Sequence, residues 1–204
     1  YNTLWINMQT IKYPIILARV NNHYQELTAT LKENSNVEFL DLTEREANRC
    51  HVNGLIYILV YAIKKLYGKH HDIIVQHSLD KGLYIETTFK LTEAKLNAIK
   101  EAMKAIIEAD MPITKVTIDR LEAIKYFESI NDDAEAGVMT YNTNSYITLY
   151  RLGNLYNYFY SLMPTTTQVL SHFELTYLNE DGFILRFPTI YMKDGIKEYE
   201  HREN

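Results

Sequence analysis

From residue 46 to Gly68 the apolar residues Leu55, Ile56, Leu59, Val60, Ile63 and Leu66 recur every three or four positions, the period of a helix with one buried face. Gly68 marks its end. A helix of that length must lay its apolar stripe on another element, and strand patterns around it supply the partner. Residues 15–20 are an apolar strand, Asn21-Asn22 is turn chemistry, alternation resumes over 24–31, and a further strand follows at 37–42. Strands are expected again over 73–77 and 83–91 about a tight Asp80-Lys81-Gly82 turn, and at 114–118, 145–151, 155–162 and 173–188. A second helix starts at Thr92 as N-cap, runs through Leu96, Ile99, Met103, Ile106 and Ile107, and stops near Met111-Pro112. Asp119-Arg120-Leu121-Glu122 has capping-box spacing and opens a third, while 131–137 read as a polar, acidic connection. The fold class is α+β.

Composition excludes several roles. At 204 residues, 47% hydrophobic and 23% charged, the chain has the make-up of a globular protein with one large or two small domains. A formal charge of −5 does not suit a chain whose main work is neutralising phosphates, though it leaves room for a local basic patch. The single cysteine, Cys50, closes no intrachain disulfide, and no His/Cys cluster has zinc-site spacing, so no metal is expected and a reducing cytoplasm fits best. The longest apolar stretch, 54–62, is far short of the roughly 20 residues of a spanning helix, which argues against a membrane. Nothing reads as a signal peptide. The start at Tyr1 and the polar tail 193–204 suggest a piece of a longer chain.

Some single residues invite chemistry and also have a plain structural reading. His77, beside Ser78 and Lys81, could switch charge or pair with a phosphate, or simply bond a backbone carbonyl at a strand end. His70-His71 sits in a solvated loop. Of the 17 tyrosines, those at 156, 158 and 160 alternate, which puts three rings on one strand face and Asn157 and Phe159 on the other. Such a face stacks a nucleobase or packs against a helix or a second subunit, making a homo-oligomer a candidate assembly. Arg151 suits a phosphate, a carboxylate or a surface ion pair.

Several strings, in one order, resemble the N-terminal domains of threonyl-tRNA synthetases. That family runs from a TGS domain, a small β-grasp module, into a helix opening with His-x-x-x-His and continuing Ala-Val-Lys-Arg-Leu-Tyr. Here Ala18-x-Val20-Asn21, Leu27, Leu31 and Val37-Glu38-Phe39-Leu40 resemble the second half of the TGS domain, and Ala62-Ile63-Lys64-Lys65-Leu66-Tyr67 sets the helix register. Gly82-Leu83-Tyr84, Asp110-Met111-Pro112, Leu149-Tyr150-Arg151-Leu152-Gly153-Asn154-Leu155 and Pro164-Thr165-Thr166 follow as in the family. In that register Asn53 and Tyr57 stand where the two histidines belong, and Phe159 and Met163 where the family has Cys-x-x-x-His, with one residue deleted before Pro164. An editing hydrolase needs polar groups to hold and activate water, or ligands for a metal, and phenylalanine and methionine supply neither. His51, two residues before the matched position, restores at most one ligand.

A second family resembles the chain more closely: uridine kinase-like proteins of the phosphoribulokinase/uridine kinase family that carry these modules ahead of a P-loop kinase domain. The strings are His77-Ser78-Leu79-Asp80-Lys81-Gly82-Leu83-Tyr84, Asn157-Tyr158-Phe159-Tyr160 and Asp181-Gly182-Phe183-Ile184-Leu185-Arg186-Phe187-Pro188. The resemblance implies a partial TGS-like module over 1–43, an editing-like α/β sandwich with an antiparallel sheet over 46–190, and a tail over 191–204 leading toward a kinase domain. It implies ATP and Mg for that domain and no cofactor for this fragment, in which no Gly-x-x-x-x-Gly-Lys-Ser/Thr loop occurs. The expected role is a non-catalytic accessory region whose partner is its own kinase domain. Its degenerate cleft, at Asn53, Tyr57, Phe159 and Met163, would bind a nucleoside, nucleotide or RNA with help from His77, Lys81, Tyr84, Arg151 and Tyr158. The alternative is an aminoacyl-tRNA editing hydrolase.

Overall fold

The apolar stripe that begins the argument forms α1, Arg45–Tyr67, whose first turn is capped by the Glu44 carboxylate accepting from the Glu46 and Ala47 amides. Gly68 closes it at φ +104 and donates its N–H to the Lys64 carbonyl at 2.9 Å. The computed structural model describes residues 13–32, 34–79 and 81–188, and the backbone of 5–7. The expected tail 191–204 and Asp80 of the expected turn lie outside these residues.

Three sheets receive the helices. The first has the order β1-β4-β2-β3: β1 (Trp5–Asn7) runs parallel to β4 (Asn36–Leu40), which pairs antiparallel with β2 (Leu17–Val20), itself paired with β3 (His23–Glu26). The second is antiparallel, β10-β11-β6-β5, from β5 (Ile73–Leu79), β6 (Gly82–Thr87), β10 (Glu174–Asn179) and β11 (Gly182–Arg186). The third, also antiparallel, is β7-β8-β9, from β7 (Thr114–Asp119), β8 (Tyr146–Leu152) and β9 (Leu155–Asn157). Helix α2 (Glu93–Glu108) buries Leu96, Ile99, Met103, Ile106 and Ile107, the stripe read from sequence, and Thr92 caps it through the Lys95 amide. Helix α3 (Arg120–Ser129) starts on Asp119, which accepts from the Leu121 and Glu122 amides. The fold is α+β, with antiparallel sheets and four helices among the described residues.

Five expectations change, the first being that the strand expected over 83–91 ends at Thr87. The connection expected at 131–137 is the start of a fourth helix, α4 (Asp133–Tyr141), capped by Asp132. It buries only Ala136 and Met139, too sparse a stripe to show as periodicity, and its acidic first turn favours the helix end it occupies. The strand expected over 24–31 stops at Glu26, where the chain turns through an Ala29 N–H to Glu26 carbonyl bond. The run 173–188 is a hairpin, not one strand, reversing at Glu180-Asp181. The strand expected over 155–162 ends at Asn157, whose side-chain oxygen accepts from the Tyr158 amide and draws the chain out of the ladder. The three tyrosines therefore do not share a strand face: Tyr156 meets the Tyr126 ring edge-on at 5.0 Å, while Tyr158 meets Tyr160 at 4.8 Å.

The main core lies between α1, α2 and the second sheet and takes in Tyr150, Leu152 and Leu155 of the third. A second cluster, with Phe127, Ala136, Met139, Ile147 and Leu149, seats α3 and α4 on the third sheet. A third joins the first sheet to the start of α1 through Ile16, Leu17, Leu40, Ala47 and Cys50. Gly54 makes one contact feasible: a Cβ there would sit 2.7 Å from Pro164 Cγ and 2.8 Å from Leu170 Cδ2, so only glycine lets the 164–170 segment lie against α1.

Candidate functional site

Residues four apart on a helix stack one turn above the other, so α1 presents Asn53, Tyr57 and Tyr61 along one line. Tyr57 is fully buried, and its hydroxyl proton lies between two backbone carbonyls, Leu155 at 2.6 Å and Tyr150 at 3.0 Å. Burial raises its pKa, which keeps the phenol protonated as the donor those carbonyls require. Phe159 meets the Tyr57 ring edge-on at 5.2 Å and the Tyr150 ring at 6.1 Å. Met163 is fully buried in the same core. Asn53 is half-buried, and its amide nitrogen has no hydrogen-bond partner among the described residues.

The structure thus joins Tyr57 and Phe159 in direct contact and places Met163 in the same apolar cluster. The other candidates are spread over separate elements. His77 and Tyr84 face each other across the β5–β6 hairpin with ring centroids 5.8 Å apart, and Lys81 sits at its turn with φ +60, exposed. Arg151 is exposed on β8, opposite Thr114 and Tyr156, and Tyr158 follows β9 half-buried.

Sequence reading missed Glu26. From the end of β3 its carboxylate reaches the third sheet and the segment after it, where Oε1 accepts from the Tyr150 hydroxyl of β8 in a short bond and from the Met163 amide beyond β9 at 3.0 Å. Lys115 Nζ stands 3.5 Å from Oε2. Burial first, and then this carboxylate, raise the Tyr150 pKa. Glu26 therefore ties the first sheet to the residues around Phe159. It lies 124 positions from Tyr150 in sequence, so no local pattern announces it.

His51 points elsewhere. It is fully buried, neither ring nitrogen has a partner among the described residues, and burial lowers its pKa to about 3, with His172 adding repulsion. It is a neutral imidazole at neutral pH. Cys50, one residue earlier, is buried and its thiol is pushed up by burial, the reverse of what a nucleophile needs. Around Tyr57 the arrangement offers a protonated phenol committed to carbonyls, a phenyl ring and a thioether, which pack but do not activate water.

No family model matches the chain. Curated relatives do: it is 26% identical over 141 residues to a threonine–tRNA ligase of Syntrophomonas wolfei, covering 63% of this chain and 22% of that protein. It is 26% identical over 165 residues to the corresponding ligase of Thermotoga neapolitana, covering 79% and 26%, and 29% identical over 117 residues to that of Aquifex aeolicus, covering 55% and 18%. The chain is distantly homologous to part of the threonyl-tRNA synthetases. It spans about a quarter of the length of the first of these relatives.

Proposed function

We propose that this chain is a non-catalytic accessory region built on a threonyl-tRNA synthetase-like scaffold, belonging to a uridine kinase-like protein. ATP- and Mg-dependent phosphorylation of a nucleoside then resides in a P-loop domain outside these residues. The observation that supports a non-catalytic reading is the Tyr57 hydroxyl. It is held by the Leu155 and Tyr150 carbonyls at 2.6 and 3.0 Å, with Phe159 against its ring, at the position where the resemblance to threonyl-tRNA synthetases implies a histidine. The kinase attribution rests on the strings His77 to Tyr84 and Asp181 to Pro188. In this reading the region binds a small ligand or RNA, or holds its kinase domain in an assembly.

The similarity to threonine–tRNA ligases favours a synthetase-related domain, and with it a second reading, the aminoacyl-tRNA editing hydrolase that the sequence resemblance implies. One assay separates the two: release of amino acid from threonine tRNA mischarged with serine. The expected rate equals that of buffer. Deacylation above buffer that disappears in His51→Ala or His77→Ala would establish the hydrolase and retire the accessory-region reading.

A further inference from the structure

One turn beyond Tyr57 the same line of α1 opens into a cleft of about 470 Å³, bounded by Tyr61, Lys64, Lys65, Lys69, Tyr126 and Asn154. That volume is within the range of small-molecule sites, roughly 300–1,000 Å³. We propose that this cleft binds a nucleotide, with its phosphate on Lys65 and Lys69 and its base against the Tyr61 and Tyr126 rings. Leu155, whose carbonyl accepts from Tyr57, also borders the cleft, but the inference does not depend on the accessory-region reading, because Tyr61, Tyr126, Lys65 and Lys69 are not the residues on which that reading rests.

The lysines divide into one that builds the cleft and two that face it. Lys64 Nζ donates to the Lys69 carbonyl at 3.0 Å and the His71 carbonyl at 3.2 Å, and lies 3.4 Å from the Asp72 carboxylate. Its charge is matched and it pins the loop after α1, so that Lys69 is held beside the helix. Lys65 and Lys69 are exposed, and among the described residues neither ammonium has an acidic partner. Two unmatched cations on one rim attract an anion, and ammonium groups hold phosphate as point charges. The C-terminal end of α1 opposes an anion by about half a charge, which two full charges outweigh.

The aromatic wall is braced by neighbouring side chains and backbone. Tyr126 is braced edge-on by Phe127 at 5.2 Å and Tyr156 at 5.0 Å, and its hydroxyl accepts from the Tyr156 amide at 3.0 Å. Beside Tyr61, Gly153 stands at φ +58, and a Cβ there would come 2.8 Å from the Tyr61 hydroxyl, so glycine leaves that ring its place. Ring faces fixed in this way stack bases of any identity, and the exposed Asn154 amide adds a donor and an acceptor at the rim.

A free mononucleotide and the terminal nucleotide of an RNA present the same chemistry. Calorimetric titration with UMP, AMP, inorganic phosphate and a hexauridylate separates them, using the wild type, the pair Lys65→Glu/Lys69→Glu, and Lys104→Glu on the exposed face of α2 as control. Matching melting temperatures verify that the three proteins are folded. The expected result is nucleotide binding that weakens at least about tenfold in the pair and is unchanged in the control. Binding of the monophosphates identifies a free nucleotide as the source, and binding of hexauridylate alone identifies an RNA end. The proposal is overturned by failure of all nucleotides to bind, by phosphate binding as tightly as UMP, or by an equal loss in Lys104→Glu.

Discussion

Consecutive turns of α1 meet opposite fates. At Tyr57 an aromatic ring points into the core, its hydroxyl taken by two carbonyls and its face covered by Phe159. At Tyr61 the next ring on the same line is half-buried beside an open cleft, with lysines beyond it. The difference comes from what the third sheet brings to each level. β9 supplies the Leu155 carbonyl and the segment after it supplies Phe159 to the first, whereas at the second the β8–β9 turn brings Gly153 against the Tyr61 ring and Asn154 to the border of the cleft. One helix can thus carry a filled turn and a concave, charged surface a single helical turn apart.

The largest effect should come from emptying the filled turn. Tyr57→Ala removes a fully buried ring and leaves two carbonyls without their donor, which should cost about 3–5 kcal/mol in urea unfolding. Tyr57→Phe keeps the ring and should cost about 1–3 kcal/mol, the penalty for unsatisfied buried carbonyls. Equal stability of Tyr57→Phe and wild type would mean that the hydroxyl is not what holds the third sheet to α1.

The second effect sharpens the contrast through pH. The His51 pKa is lowered from 6.5 to about 3 in the fold, so the unfolded chain takes up a proton first as pH falls. His51's contribution is complete above pH 6.5 and is lost as pH drops toward 3, at about 1.4 kcal/mol per pH unit. His172 is also lowered by burial and acts in the same direction, but it is retained in His51→Leu, so the difference between variant and wild type reports His51 together with its coupling to His172. Urea midpoints from pH 7 to 4 should fall less steeply in His51→Leu. Parallel curves would show that the imidazole reaches water.

How far the sequence reveals this molecule depends on range. The helices α1 and α2 are legible because their apolar residues repeat within a turn or two, and Thr92 and Asp119 mark starts through bonds to amides two or three residues on. Helix α4 is not, because two buried residues make no period. Spacing alone places Asn53 and Tyr57 on one line, yet that Tyr57 is sealed while Asn53 is half-buried depends on residues about a hundred positions away. Glu26 is further still from pattern, since its partners lie on another sheet and in the segment that follows it, 124 and 137 positions away. The cleft had a partial signal in Tyr61 at four residues past Tyr57, followed by Lys64-Lys65, but its other wall comes from α3 and the β8–β9 turn.

The smallest effect tests whether the open turn is free of structural duty. Lys65 and Lys69 are exposed, and neither makes an ion pair among the described residues, so Lys65→Ala and Lys69→Ala should each shift unfolding stability by less than about 0.5 kcal/mol. Lys64→Ala should differ, since its ammonium holds the Lys69 and His71 carbonyls and neighbours Asp72. Loss there of about 1–2 kcal/mol, with the two exposed lysines silent, would separate the residue that shapes the cleft from those that charge it. If Lys65→Ala proved as damaging as Lys64→Ala, its ammonium would be engaged in holding the fold and unavailable to a ligand. The contrast between the closed and open turns of α1 would then be one of degree.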